Sequence, residues 1–134
     1  MLRFISSVLA VVILVACVET VAPTLASNVY RVVSLDGKAL PTNVSVFLRA
    51  GCGAGVLHRS EFAFGSDSML EQRFWFTSDP SEQPAVYRTS FVQHGHRIWL
   101  SDGAGTGTVD GGSLRLNMPP TQICGSTSWD AVLR

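Results

Sequence analysis

Residues 56–77 read VLHRSEFAFGSDSMLEQRFWFT, and this stretch decides the fold class. Apolar and polar side chains alternate with period two on both sides of a short turn. The first predicted strand has one face formed by Val56, His58, Ser60, Phe62 and Phe64. The corresponding face of its partner is formed by Leu70, Gln72, Phe74 and Phe76. The pattern therefore predicts an antiparallel β-hairpin with one largely apolar face.

The same alternation continues through the chain from residue 28 onward, and no window holds a sustained 3.6-residue period. Dipeptides that favour tight turns, such as Asp36-Gly37 and Asp110-Gly111, separate the alternating stretches. The predicted strands are residues 30–35, 44–48, 56–64, 70–77, 85–93, 96–100, 106–109, 113–118 and 126–134. Because closure satisfies every strand edge, we expect an all-β protein with one small antiparallel up-and-down β-barrel of eight or nine strands.

Length and charge narrow the functional classes. The chain has 134 residues, with 10 Lys and Arg against 10 Asp and Glu, and only 15% of its residues are charged. Nine of the basic residues are arginines spread singly along the chain, so no basic stripe is available to neutralise a row of phosphates. We expect a single domain and no nucleic-acid partner.

The first 16 residues are predicted to be an export signal. Arg3 precedes an apolar run from Phe4 to Val18, which Glu19 ends. This run is shorter than the ~20 apolar residues that span a bilayer. The sequence Leu14-Val15-Ala16-Cys17 resembles the lipobox of bacterial lipoproteins. The resemblance implies that Cys17 becomes the lipidated N-terminus of the mature protein.

Lipidation would determine where the protein lies. Stable attachment takes two or more acyl chains, which such an anchor supplies. Val18 rather than Asp follows the cysteine, and by the same resemblance this permits transfer to an outer membrane. We therefore expect a lipid-anchored protein of the bacterial cell envelope, on the outer membrane and facing the periplasm.

Residues 17–27 are expected to form the lipidated N-terminus and its tether, and residues 28–134 to form the domain. The tether is small and apolar without a period, and Pro23 interrupts it. Two alternatives remain. One is an ordinary secretory signal cut near Ala26, and the other is an uncleaved helix in which Cys17 is buried.

The three cysteines divide into one anchor and one pair. With Cys17 assigned to the lipid, Cys52 and Cys124 remain as an even pair in an oxidising compartment. A disulfide between them would close a loop of 73 residues (124 − 52 + 1). The alternative is two separate buried thiols.

Several short motifs stand in an order that resembles the small lipocalin-like barrels of bacterial lipoproteins. Tyr30-Arg31-Val32 precedes a Leu35-Asp36-Gly37 turn, Leu40-Pro41 follows, and a cysteine-bearing segment leads to Phe62-Ala63-Phe64. Hairpins with glycine at their turns follow, and the last strand contains an aromatic residue. The similar order of motifs therefore extends across the whole domain. The resemblance implies a barrel that holds or carries a small apolar molecule, and it names no catalytic residues.

Aromatic side chains are predicted to line the interior of the barrel. They are Tyr30, Phe62, Phe64, Phe74, Phe76, Tyr87 and Phe91. An eight-stranded barrel is just wide enough to be filled by such side chains or to hold one small ligand. The first hypothesis is therefore a small apolar or amphipathic ligand inside the barrel. The alternative is a solid barrel whose surface, with Trp75, Trp99 and residues 103–107, binds an envelope protein or inhibits an enzyme.

We found no residue pattern that predicts catalysis, a metal or a cofactor. His94-Gly95-His96 straddles a predicted glycine turn, and no spacing supplies a third ligand. His58 is expected to be a core histidine. The glycine-rich residues 103–107 lack the lysine and the following helix of a phosphate loop, and no Gly-x-Ser-x-Gly elbow occurs. We therefore expect a binding protein and not an enzyme.

Overall fold

The computed structural model describes residues 24–101 and 105–134, so the predicted signal peptide, Cys17 and most of the tether lie outside the described residues. The described chain is all β. Its strands are β1 (Val29–Leu35), β2 (Lys38–Ala39), β3 (Thr42–Leu48), β4 (Gly51–Leu57), β5 (Arg59–Phe64), β6 (Met69–Trp75), β7 (Ala85–His94), β8 (Arg97–Leu100), β9 (Thr106–Asp110), β10 (Ser113–Met118) and β11 (Thr127–Leu133). Within the described ranges, no helix is long and apolar enough to cross a membrane.

Eight antiparallel strands close into a barrel in the order β1, β5, β6, β7, β8, β9, β10 and β11, and β11 pairs back to β1. The prediction of a closed antiparallel barrel is confirmed. The Asp36-Gly37 turn after β1 has φ angles of 49° and 79°, as a tight turn of positive φ requires. The Asp36 carboxylate also accepts a hydrogen bond from the Ser128 N–H (2.7 Å), which links this turn to the start of β11.

Between β1 and β5 the chain leaves the barrel. β3 and β4 form a separate two-stranded sheet, which we call the hairpin (residues 42–57). The predicted strand 44–48 is therefore not a barrel strand, and the predicted strand 56–64 is divided at His58.

The division at His58 corrects two expectations. Leu57 and Ser60 are both fully buried, although they lie three residues apart. An unbroken strand alternates its faces with period two and would place them on opposite sides, so the break is what turns both inward. His58 itself is only half-buried and is not a core histidine, while Val56 remains exposed.

The predicted tether overlaps the domain. Leu25 is fully buried in the hydrophobic core, and the Ser27 N–H donates to the Phe64 carbonyl (2.7 Å) where β1 begins. Residues 25–27 therefore pack on the barrel and belong to the folded domain, which starts earlier than the predicted boundary at Asn28.

The hairpin covers the opposite end of the barrel, where β1 ends. Val44 and Val46 are half-buried against the core, and Val46 forms an isolated β-bridge with the buried Ile123. The predicted disulfide between Cys52 and Cys124 is present and joins β4 to the loop before β11.

Candidate functional site

The aromatic residues predicted to line the interior do face it, and they pack on one another. Tyr30, Phe62, Phe64, Phe74 and Phe91 are buried, whereas Phe76 and Tyr87 are half-buried against the same core. Tyr30 and Phe91 each meet Phe64 edge to face, with ring centroids 5.8 Å and 5.0 Å away. Side chains thus occupy this part of the interior.

A second aromatic cluster surrounds Trp129 on β11. Phe62 and Phe74 both pack edge to face on the fully buried Trp129, with centroids 6.0 Å away, and Phe76 stacks on Phe74 at 6.1 Å. Rings from β5, β6 and β11 therefore meet across the barrel. This arrangement favours a filled interior over a large cavity.

Two polar atoms of the interior lack a hydrogen-bond partner among the described residues. They are the Tyr30 hydroxyl and the Gln72 side-chain oxygen, and both residues are fully buried. Register places Gln72 beside Phe62 and Phe62 beside Tyr30 on three neighbouring strands. Burial raises the pKa of Tyr30, so its hydroxyl stays protonated and able to donate. A molecule that both accepts and donates hydrogen bonds would satisfy these two atoms.

The tip of the hairpin presents apolar side chains to solvent. Phe47 is 48% exposed and Leu48 is 59% exposed, and both precede Arg49. From Gly37 to Ser60 the chain has no Asp or Glu. The hairpin therefore combines apolar and basic character, without a negative charge of its own.

One edge of the hairpin is covered by the loop before β11. The Phe47 N–H donates to the Gln122 carbonyl (3.1 Å), and the Cys124 N–H donates to the Ser45 carbonyl (2.8 Å). The backbone groups of Ser45 and Phe47 thus point away from β4, and those of the intervening Val46 point toward it.

The other edge of the hairpin is open. Val46 pairs with Gly53, so the backbone groups of Gly53 point toward β3. Those of Cys52, Ala54 and Val56 point outward by the strand's alternation. Within residues 24–101 and 105–134 no strand pairs with this edge. The barrel strands have no such edge, because their ring is closed. In contrast, within the described chain β4 offers unpaired backbone N–H and C=O groups to a further strand.

The two tryptophans predicted to share a surface patch do not do so. Trp75 is only 8% exposed, because the guanidinium of its cross-strand neighbour Arg59 lies over the ring, 3.9 Å from the centroid. Trp99 is 40% exposed on β8. The strand β7 separates their strands, so the predicted joint patch is corrected to Trp99 alone.

The histidine motif lies where the sequence placed it, at the turn between β7 and β8. Gly95 has a φ of 59°, His94 meets Trp99 edge to face at 5.6 Å, and the His96 Nδ1 lies 2.7 Å from the Val109 carbonyl. In the described part of the chain, no three His, Cys, Asp or Glu side chains are grouped so that they could hold a metal ion.

Of the glycine-rich residues 103–107, the first two lie outside the described residues, Gly105 is buried and Thr106 begins β9. The run therefore leads into a strand, as expected for a hairpin connection.

Sequence reasoning overlooked the hairpin as a surface element. Its signal was present in the alternate glycines of Gly51-Cys52-Gly53-Ala54-Gly55. A Cβ at Gly53 would collide with the Leu48 side chain, and one at Gly55 would lie 3.2 Å from Val46. The glycines therefore make room for the side chains of β3, and no periodicity argument would reveal this.

No protein-family model, curated protein or solved structure matches the chain. The barrel is compatible with a lipocalin-like barrel, and the interpretation of its function depends on the geometry described above.

Proposed function

We propose that this protein is a lipid-anchored, non-catalytic protein of the bacterial cell envelope, and that it binds an extended acidic segment of a partner protein along the open edge of β4. The open edge is the observation that carries the proposal. Strand addition uses the unpaired backbone groups of an edge for affinity and the neighbouring side chains for specificity. Natural edges are usually blunted by charge, proline or a bulge, and β4 (Gly51–Leu57) has no charged residue or proline.

The chemistry of the hairpin supports this class of partner. Phe47 presents an exposed apolar side chain on β3, the strand next to β4, and Arg49 adds a positive charge at the tip. A second copy of the hairpin would bring only further positive charge. An extended segment with apolar residues and Asp or Glu complements the surface better.

The expected position of the anchor also supports a protein partner. Leu25 enters at the end of the barrel where β1 begins, and the hairpin lies where β1 ends. Seven residues, 18–24, separate Cys17 from Leu25 and span about 25 Å at full extension. An anchor at the end where β1 begins leaves the hairpin, at the opposite end, facing away from the membrane to which the protein is attached.

Peptide display against the full-length protein in detergent micelles tests the proposed site. We expect selected peptides to be extended, to alternate apolar residues and to carry Asp or Glu. Ala54→Pro removes one outward backbone donor without removing a bond to β3, so it should abolish their binding. Ala54→Thr keeps the donor and is the matched control. Equal binding by both variants would refute the proposal.

The lipid anchor has its own test. Metabolic palmitate labelling should be lost in Cys17→Ser and retained in Cys52→Ser. The burial of Leu25 argues against the alternative cleavage near Ala26, because a cut there would remove a core side chain. It therefore supports cleavage further upstream. Labelling that survives in Cys17→Ser would overturn the anchor and leave the β4 site unaffected.

The unpaired Tyr30 and Gln72 atoms favour a second candidate, a small amphipathic ligand inside the barrel. Native mass spectrometry of the full-length protein, followed by denaturation, would identify a released molecule. We expect Tyr30→Phe to weaken its retention. A barrel that releases nothing and takes up no apolar dye would exclude this candidate.

A further inference from the structure

A groove on the outer wall of the barrel is lined by an exposed tryptophan, two arginines and three short polar side chains. It encloses about 370 Å³, within the usual size range of small-molecule sites. Strands β8, β9 and β10 form it, and the long side chains of β8 and β10 rise on either side of short ones on β9. The floor is formed by Thr106, Gly107 and Thr108.

Strand register arranges the groove in two parallel rows. Trp99 pairs with Thr106, which pairs with Asn117, and this forms an aromatic and amide row. In the second row, Thr108 lies between the two arginines Arg97 and Arg115. The outer strands are about 10 Å apart, which is twice the spacing of neighbouring strands. Each row therefore has a threonine hydroxyl at its centre, and the second row has a long cationic side chain at both ends.

The positive charge of the groove is only partly neutralised. Arg115 donates to Asp130 (2.7 Å), an interaction that raises the pKa of Arg115. Among the residues that the structure describes, no carboxylate pairs with Arg97. Two guanidiniums thus line a groove that has one carboxylate partner at its rim. An anionic group placed over Thr108 would approach both guanidiniums.

Trp99 supplies an apolar surface to the same groove. Its ring is 40% exposed and is supported from one side by His94, edge to face at 5.6 Å. The indole therefore has a defined contact that orients it at the surface. A second groove of about 310 Å³ shares Thr108 and Arg115 and continues across β10 and β11, where Asp110 and Asp130 lie. An anionic group is accordingly favoured in the first groove and a neutral one in the second.

We propose that this outer-wall groove binds an anionic saccharide. The apolar face of a sugar ring would pack on Trp99, its hydroxyls would bond to Asn117 and the threonines, and its acidic group would lie between Arg97 and Arg115. The continuation of the groove suits an oligosaccharide. This site is separate from the β4 edge and does not depend on it.

Trp99 makes the proposal directly testable. The chain has three tryptophans, and Trp75 and Trp129 are buried, so acrylamide quenching of fluorescence reports chiefly on Trp99. In the full-length protein, galacturonate should protect Trp99 and shift its emission. Galactose, the neutral counterpart, and inorganic phosphate at equal ionic strength should not.

Calorimetric titration of galacturonate would assign the residues. Arg97→Gln should weaken binding about tenfold, since a charge-assisted hydrogen bond is lost. Thr108→Tyr should abolish binding by filling the floor, and its thermal unfolding is measured alongside to check that the variant folds. Arg88→Gln makes the same charge change on β7, outside the groove, and should leave affinity unchanged.

Three outcomes would overturn the proposal. Equal binding of galactose would remove the role of the arginines. Equal competition by inorganic phosphate would reduce the groove to a general anion site. Galacturonate binding that persists in Arg97→Gln and Thr108→Tyr would place the saccharide elsewhere.

Discussion

Arg134 donates a hydrogen bond to the carboxylate of Glu61 (3.1 Å) and so joins the residue after β11 to β5 across the intervening β1. The Glu61 side chain is only 7% exposed, and Arg73 on β6 lies 3.7 Å from its other oxygen. Two guanidiniums thus cover a carboxylate on the outside of the barrel. The contact ties the end of the described chain to the wall.

Glu61→Gln should lower the free energy of unfolding by about 1–3 kcal/mol, because it removes the charge that both arginines contact. Arg134→Gln removes only one well-exposed partner and should cost less than about 1 kcal/mol. Urea denaturation of both variants measures the difference. A larger loss in Arg134→Gln would contradict the central position of Glu61.

The disulfide should account for much of the stability of the hairpin end. Cys52 and Cys124 are 72 residues apart in the chain, and closing such a loop stabilises the fold by roughly 4 kcal/mol in the chain-entropy model. The double variant Cys52→Ser/Cys124→Ser should lose about this amount. The wild-type protein under reducing conditions should show the same loss, and Cys17→Ser should show none.

Leu25 tests where the domain begins. Leu25→Ala should destabilise the barrel by about 2–5 kcal/mol, because it empties a fully buried position. Thr24→Ala changes the exposed neighbouring residue and should have an effect within about 0.5 kcal/mol. Equal and small effects of the two substitutions would restore the predicted boundary at Asn28.

Acid should weaken the ion pairs on the outer face of β6. A hydrogen bond from Arg73 lowers the pKa of Glu71, and Arg88 adds to this effect. A carboxylate whose pKa is lower in the folded than in the unfolded protein stabilises the fold at a pH above its unfolded-state pKa. This contribution is lost as the pH falls through the lowered, folded-state pKa. Glu71→Gln should therefore be less stable than wild type at neutral pH and equal to it in acid. A constant difference in urea unfolding at both pH values would contradict this.

Gly107 should tolerate no side chain. A Cβ at Gly107 would collide with the backbone carbonyl of Arg115 on the neighbouring strand, so Gly107→Ala should cost about 1–3 kcal/mol. At Gly112 the nearest atom to a Cβ is 3.8 Å away in Leu133, and Gly112→Ala should change stability by no more than about 0.5 kcal/mol. Thermal unfolding of the two alanine variants provides the comparison.

Much of the barrel was predictable because strand alternation and turn chemistry are local. The inward positions of Phe62, Phe64 and Phe74 follow from period two, and Asp36-Gly37 forms the turn its positive φ preference indicates. The number of cysteines led to the disulfide. Strand alternation and turn formation depend on residues that are neighbours in the chain, and the disulfide followed from the number of cysteines. None of these predictions required knowledge of the fold.

The candidate sites depend instead on neighbours across strands. Trp75 and Trp99 both alternate outward, yet only Trp75 is covered, because pairing brings Arg59 over its ring. The open edge of β4 exists because the hairpin leaves the ring between β1 and β5. Neither relationship is expressed in the spacing of residues along the chain.

The amino-acid sequence by itself determined that this protein is an antiparallel β-barrel with one disulfide, since hydrophobic periodicity and turn residues act over a few positions. Only the tertiary structure decided how the interior is occupied and which surfaces remain available. Register sets which side chains meet, as in the row of Arg97, Thr108 and Arg115, and closure sets which edges are left unpaired. Both arise from contacts between residues far apart in sequence, which only the closed barrel brings together.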